Sequence, residues 1–347
     1  MIDRNFDSMN FDFLISSERS GSNLLVAMLD SHPDICAPSP THLLRRLLFN
    51  RFRYGNLQHD ENWEKLTNDA ALLLTHQIGK WQTIWTGEEI RNAVENRTLA
   101  SIIKKVYFVE AKTNNKKRVF IKENQTHKLV LYILRHFADT KFIFLVRDPR
   151  DMVASHAFTP GRKGGVIEGA NRWKEDQKET LLTISSFSDP VLFDTSRFLV
   201  VHYEDILENG EAECSRICDF LSVPYSEAML AYHNKKDIRE RAKKTACWEN
   251  LDKPIMRNNS KKYNKLLSKD QIKYIEVFCA DEMDILGYNK EYPEEDINKL
   301  RQNVKICDEI IIRDKKDFEQ SEKNRRAIIK KALNQIGSHH HHSIIRY

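Results

Sequence analysis

The stretch Phe11–Pro33, FDFLISSERSGSNLLVAMLDSHP, decides the fold. Phe11 to Ser16 is an apolar run of strand length. A polar loop follows, with Arg19-Ser20-Gly21-Ser22-Asn23 at its hinge. Leu24, Leu25, Met28 and Leu29 then recur at helical spacing and predict a helix whose apolar side faces a core. Ser31-His32-Pro33 ends it, because proline cannot continue a helix.

Strand, tight loop and helix in this order make an anion cradle. Backbone N–H groups at Gly21, Ser22 and Asn23 would face a ligand at the helix N-terminus, where the macrodipole also favours negative charge. Gly21 lets the backbone approach closely. Arg19 offers a planar fork suited to a tetrahedral oxyanion, and Ser20, Ser22 and Asn23 add neutral donors. The GxxxxGK[ST] pattern is absent, since no Lys-Ser/Thr follows, which disfavours Mg-dependent ATP hydrolysis. Taken alone, the loop could equally be a helix start with no ligand.

Working outward, Lys141–Val146 (KFIFLV) is the clearest strand, a continuous apolar run as expected when helices cover both sheet faces. It delivers Arg147 at its carboxyl end, the edge where open α/β sheets bind ligands. In RDPRDMVAS, Pro149 fixes a turn, and Asp148 and Asp151 are candidate helix caps. Arg147 and Ser155 could converge on a second phosphate; alone, Arg-Asp-Pro could be only a capped turn. Further strands are expected at 119–122 and 198–201, and helices at 126–137, 212–221 and 269–286, the last stopped by Gly287. The alternation predicts a parallel α/β sheet. Residues 41–108 form a mostly helical insertion. Ile297, Leu300, Val304, Cys307 and Ile311 suggest one amphipathic helix in an extension over 291–347, read as an accessory or homo-oligomer contact.

The bulk figures set limits. A chain of 347 residues with 41% hydrophobic and 10% aromatic content has enough apolar material for a large core. Net charge of +5 suits anionic ligands, without the concentrated basic patch expected for nucleic acid. No stretch approaches the ~18 unbroken apolar residues of a membrane span, and no leader-like segment opens the chain, so a cytoplasmic protein is expected. Cys36, Cys214, Cys218, Cys247, Cys279 and Cys307 are scattered with no CxxC, as for buried free thiols. No His and carboxylate cluster has metal spacing. The terminal GSHHHHSIIRY partly resembles a purification tag, and no metal site is built from it.

ERSGSNLL (18–25) and LVRDPRDMVAS (145–155) resemble the 5′-phosphosulfate loop and the 3′-phosphate motif of sulfotransferases that use 3′-phosphoadenosine 5′-phosphosulfate (PAPS). LDSHPDI (29–35), VHYEDILEN (201–209), ICDFLSVPY (217–225), PIMRNNSKKYNKLLS (254–268) and MDILGY (283–288) resemble the family as well. The likeness runs from about Phe11 to Tyr288 and is least in the insertion. It implies a P-loop-NTPase-like sheet flanked by helices within a sulfotransferase domain over 1–290, with 41–108 as an acceptor lid. It implies PAPS as donor, PAP as product and no metal. Arg19, Ser20, Gly21, Ser22 and Asn23 would hold the 5′-phosphosulfate, Arg147 and Ser155 the 3′-phosphate, and Tyr203 the adenine edge. Lys261 and Lys262 lie in a late loop that closes over the nucleotide in relatives, although lysine pairs are commonly solvated surface.

Catalysis needs charge stabilisation and a general base. Arg19 suits the first, and Lys122 matches a lysine that relatives place against the transferred group. For the base the chain departs from its relatives. Tyrosylprotein sulfotransferases carry a glutamate near the position of Ser39, and cytosolic sulfotransferases a histidine where Asn124 stands. His42 and Glu123 are the nearest substitutes, and the sequence leaves both open. The resemblance does not identify the acceptor; the expected one is a hydroxyl of a carbohydrate or other small molecule. Tyr54, Phe52, Trp63, Trp81 and Trp85 of the insertion could stack on sugar rings or fill core. A P-loop-type kinase and a non-catalytic nucleotide-binding scaffold remain the competing readings.

Overall fold

The apolar run ahead of the loop forms β1 (Asn10–Ser16), the central strand of the sheet. The computed structural model describes residues 9–76, 79, 81–159, 164–187, 196–244 and 248–293. β2 (Ile35–Cys36), β3 (Arg118–Lys122), β4 (Phe142–Val146) and β5 (Phe198–His202) complete a five-stranded sheet of order β2-β3-β1-β4-β5. Every pairing is parallel, as the alternation of strands and helices predicts. After β1 the chain builds β2 and β3 on one side, then crosses to β4 and β5 on the other. That reversal opens a crevice outside the carboxyl ends of β1 and β4. The register sets Leu14 opposite Lys122, Ser16 opposite Leu145, and Val146 opposite His202. The segments that follow β1, β3, β4 and β5 therefore leave the sheet at one edge.

The continuous apolar strands divide their side chains between two cores. Phe11, Phe13, Ile15, Phe142, Phe144 and Val146 face one, where Phe13 meets Phe137 edge-on at 5.2 Å and Phe142 stacks on Phe198 at 5.1 Å. Leu14, Ile143, Leu145 and Val201 face the other, against Leu25, Met28 and Leu29 of α1 (Ser22–Ser31). Leu24 departs from the expected apolar stripe: it is only half-buried and lines the cleft described below.

Between β2 and β3 the chain inserts α2 (Leu43–Phe49), α3 (Asp60–Thr75), α4 (Gly87–Ala93) and α5 (Leu99–Thr113). Tyr54, Trp63 and Trp81 are buried there and are core, whereas Phe52 is exposed. A 3₁₀ turn leads into α6 (Val130–His136), and β4 leads into α7 (Pro149–Ala157). α8 (Gly165–Phe187) was not expected from the sequence. α9 (Tyr203–Glu208) and α10 (Gly210–Leu221) follow β5, and α11 (Lys236–Ala242) and α12 (Tyr263–Leu266) come later. The single helix expected over 269–286 is two, α13 (Lys269–Phe278) and α14 (Ala280–Ile285), broken at Cys279 where no Gly or Pro marks the change. The amphipathic helix expected at 297–311 lies outside the described residues, as do Cys247 and Cys307; Cys36, Cys214, Cys218 and Cys279 are buried and free. Among the described residues, no helix is long and apolar enough to cross a membrane.

Asp12 locks the amino edge of the sheet. It is fully buried, takes two hydrogen bonds from the Arg118 guanidinium on β3, and accepts the Lys141 N–H just ahead of β4 at 3.0 Å. Removing one partner of a buried ion pair leaves the other charge uncompensated. Asp12→Ala is therefore expected to lower stability by about 3–5 kcal/mol, read as a shift of the urea unfolding midpoint.

Candidate active site

The loop after β1 is shaped by what packs against it. Gly21 caps α1 in the left-handed region, with φ +84°, and its carbonyl accepts the Leu24 N–H at 2.9 Å and the Leu25 N–H at 3.2 Å. A Cβ there would lie 2.2 Å from the Tyr203 ring at the start of α9, so only glycine fits. No side chain caps α1, which leaves its first N–H groups for a ligand. Ser20 is fully buried beneath the loop, and its hydroxyl has no hydrogen-bond partner among the described residues.

Arg19 and Arg147 form a knot. Arg19 Nε donates to Ser155 Oγ at 3.1 Å, and the Arg19 carbonyl accepts from Arg147 Nη1 at 3.0 Å. Arg147 Nη2 donates to the Asn259 carbonyl at 3.1 Å, and the guanidinium lies 4.6 Å over the Tyr203 ring. Asn259 Nδ2 in turn donates to the Tyr203 hydroxyl at 2.5 Å. Arg147 Nε is buried with no hydrogen-bond acceptor among the described residues. These groups wall a cleft of about 320 Å³, which Gly21, Ser22, Asn23 and Lys262 also line. Tyr232, Trp248, Pro254 and Met256 add aromatic and apolar lining. Lys261 contributes its backbone N–H to Asp151 instead.

Only one of the two expected caps is a cap. Asp148 accepts the Arg150 N–H at 2.8 Å at the head of α7. Asp151 reaches away from its helix and accepts the N–H groups of Lys261 at 2.6 Å and Tyr263 at 3.0 Å. It thereby holds the late loop over the cleft. Burial pushes the Asp151 carboxyl up, and the nearby Arg147 charge opposes that shift.

α8 supports the site from behind, and sequence reasoning missed it. Trp173 Nε1 donates to the Arg147 carbonyl at 2.9 Å, and Gln177 Nε2 to Ser17 Oγ at 2.7 Å. Arg172 Nη1 donates to Glu18 Oε2 at 3.3 Å. Asp176 hydrogen-bonds Ser17, and burial pushes its carboxyl up to about 6. Arg172, Trp173, Asp176 and Gln177 share one helix face, and the available signal was the helical stripe of Val166, Ala170, Trp173, Leu181 and Ile184 buried in the core.

The other candidates meet across the loop from the cleft. Lys122 ends β3, and its ammonium donates to Asn23 Oδ1. Glu123 is fully buried; Oε1 accepts the Leu44 N–H at 3.0 Å, and Oε2 lies 3.5 Å from His42 Nδ1. Asn124 Nδ2 donates to Glu18 Oε1 at 2.7 Å, and the Asn124 N–H lies 3.4 Å from His42 Nδ1. His42 precedes α2 in the left-handed region, with φ +54°. Burial lowers its imidazole below the ordinary histidine value, Glu123 opposes this, and the Arg45 and Arg46 charges add to it. Ser39 is buried, its carbonyl held by Trp81 Nε1 at 2.9 Å.

The model of the sulfotransferase family matches residues 13–227. The chain is 24% identical over 232 residues to protein-tyrosine sulfotransferase A of Caenorhabditis elegans, covering 66% of this chain and 54% of that protein. It is 24% identical over 288 residues to protein-tyrosine sulfotransferase of Drosophila melanogaster, covering 80% and 51%. The chain thus spans about half the length of these curated relatives. Among solved structures, the sulfotransferase domain of the Synechococcus PCC 7002 olefin synthase matches with a TM-score of 0.57 and 20% identity, over 82% of this chain and 97% of that domain. The sulfotransferase domain from the curacin biosynthetic pathway gives a TM-score of 0.56 at 20% identity, over 81% and 99%. The likeness to these domains is one of fold.

Two outcomes follow from the geometry. Gly21→Ala is expected to cost at least about 1–2 kcal/mol, from the left-handed backbone alone. The loss should shrink in a Tyr203→Ala background, where the ring that meets the added Cβ is gone; a double-mutant cycle by chemical denaturation reads this coupling. Asp151→Ala should release two backbone N–H groups. Amide hydrogen exchange at Lys261 and Tyr263 should then quicken roughly fivefold to tenfold, for about 1 kcal/mol per hydrogen bond.

Proposed function

The chain belongs to the sulfotransferase family, and from that premise we propose that it transfers the sulfuryl group of PAPS to a hydroxyl of a carbohydrate or other small molecule. The observation that carries this is the convergence of Arg19, Ser155 and Arg147 on one cleft beside an uncapped helix N-terminus. Two oxyanion sites side by side fit a nucleotide with phosphates at its 5′ and 3′ positions. The orphaned donors at Ser20 Oγ and Arg147 Nε fit the same ligand, since buried polar groups are normally satisfied.

In this reading the N–H groups at the head of α1, with Arg19, Ser20, Ser22 and Asn23, hold the 5′-phosphosulfate. Arg147 and Ser155 hold the 3′-phosphate, Tyr203 and the apolar wall receive the adenine, and Lys262 closes the mouth. Arg19 and Lys122 stabilise the negative charge that grows on the bridging oxygen and the transferred group as the acceptor attacks in line. The insertion over 41–108 carries His42 and Arg45 to the acceptor side, where it would act as lid. The competing kinase reading lacks the lysine that its phosphate chemistry requires. A second acceptor, a tyrosine hydroxyl on a polypeptide, is favoured by the names of the curated relatives.

Calorimetry with PAP, ADP and ATP tests the nucleotide. PAP should bind without Mg²⁺ and at least about tenfold tighter than ADP, as expected for a charge-assisted contact worth about 1.5–3 kcal/mol. Arg147→Ala should erase that preference. A preference for ATP with Mg²⁺ would sink the proposal. Incubation with labelled PAPS and a panel of saccharides, simple alcohols and tyrosyl peptides separates the acceptor readings.

A further inference from the structure

Beside the loop that follows β1, on the far side from the cleft lining, lie two titratable side chains that the nucleotide does not need. We infer that His42 and Glu123 act as a pair, in which His42 Nε2 takes the acceptor's proton and Glu123 positions the ring by holding Nδ1–H. The pairing rests on the sulfuryl-transfer reading and extends it to the base.

Exposure assigns the roles. Glu123 is 0% exposed, with one oxygen taken by the Leu44 N–H and the other 3.5 Å from His42 Nδ1. A carboxylate sealed in this way cannot touch an acceptor. The His42 side chain is 19% exposed and can. Lys122 and Asn124, on either side of Glu123, are each bonded to the 5′ loop, at Asn23 and Glu18. The pair is thereby held beside the segment that binds the transferred group. The left-handed backbone at His42 is the kind of strain found at working sites.

The tautomer follows from the cost of burial. Glu123 Oε2 has no hydrogen-bond partner among the described residues, His42 Nδ1 lies 3.5 Å from it, and a buried carboxylate oxygen without a donor is expensive. A proton on Nδ1 supplies that donor and leaves Nε2 as the basic atom. The Asn124 N–H, 3.4 Å from Nδ1, asks for the opposite tautomer; the two contacts are of similar length, and the choice falls to Glu123 because its acceptor is a buried charge and the Asn124 contact is neutral.

The step balances. A lone pair of the acceptor oxygen forms the new O–S bond as the S–O bond to the 5′-phosphate breaks, and that electron pair stays on PAP. The hydroxyl proton goes to Nε2, Glu123 stays ionised against the resulting imidazolium, and the proton later passes to solvent. An aliphatic alcohol holds its proton far more tightly than the phenol of tyrosine, which titrates at about 10. A carboxylate-backed imidazole therefore suits an alcohol acceptor in particular.

Glu123→Gln is the discriminating variant. Its carbonyl can keep the Leu44 N–H, while its amide would donate to Nδ1 and force the proton onto Nε2. It should lower kcat by about 10²–10⁴ with PAP affinity within about twofold of the native protein. His42→Ala should do the same and be partly rescued by added imidazole. The base works above its pKa and is lost as pH falls through it. Glu123 raises that pKa, and Arg45 and Arg46 lower it, so Glu123→Gln should move the acid limb of the kcat profile to lower pH. Nitrogen NMR of histidine-labelled, PAP-bound protein, with His42→Asn as the assignment control, needs no acceptor. It should show Nδ1–H in the native protein and Nε2–H in Glu123→Gln. An unchanged kcat in Glu123→Gln, a kcat within about tenfold of native in His42→Ala, or Nε2–H in the native protein would each overturn the pairing. Absence of PAP binding in the native protein would instead sink the nucleotide reading, and NMR of the unliganded protein would still judge the pair.

Discussion

The Arg147 guanidinium is the contact on which the site depends. It joins the Arg19 carbonyl, the Asn259 carbonyl and the Tyr203 ring, three segments far apart in the chain. It does so nearly buried, with the Asp151 carboxylate 3.9 Å away. A buried cation bonded mainly to neutral carbonyls keeps unmet demand for negative charge. Asp151 cannot meet it fully, because both of its oxygens already hold the late loop. The surplus positive charge therefore faces the cleft, beside the partial positive charge at the head of α1.

The parallel sheet makes this arrangement reachable. Ser17, Glu123, Arg147 and Tyr203 each directly follow a strand, and the register brings those four ends to one edge. That much was legible in the sequence. Continuous apolar runs marked β1 and β4, and a glycine-containing polar loop and an arginine stood where they ended. The extents of β1, β3, β4 and β5 differ from expectation by a residue or so at their ends. β2 was not legible, because a strand of two residues has no periodicity to detect.

What stayed hidden were contacts between segments. α8 was passed over although Val166, Ala170, Trp173, Leu181 and Ile184 mark a buried stripe; what the sequence could not show is that Arg172, Asp176 and Gln177 beside that stripe meet the loop after β1. Asp151 looked like a helix cap because Asp near a helix start usually is one. Its real partners, Lys261 and Tyr263, are 110 and 112 residues away. His42 and Glu123 stood as rival bases for the same reason. Only the meeting of the start of α2 with the end of β3 shows that they touch. Ser39 is buried too, with its carbonyl held by Trp81 Nε1, a contact 42 residues apart that the sequence does not announce.

Backbone strain follows the same loops. Arg19, His42, Gln125 and Lys261 all adopt positive φ, although none is glycine. Each such residue costs roughly 1–3 kcal/mol and persists only where its surroundings over-determine it. The surroundings are visible: Arg147 and Ser155 grip Arg19, Asp151 grips the Lys261 N–H, Lys128 N–H holds the Gln125 carbonyl, and Arg46 N–H holds that of His42. Strain distributed in this way means that the loops are set in place before any ligand arrives. Their ordering cost is met by two apolar cores on either side of the sheet instead of by the ligand. On the proposed sulfuryl-transfer reading, binding free energy is then left for the interactions that strengthen as the sulfuryl group moves, which is where catalysis needs it.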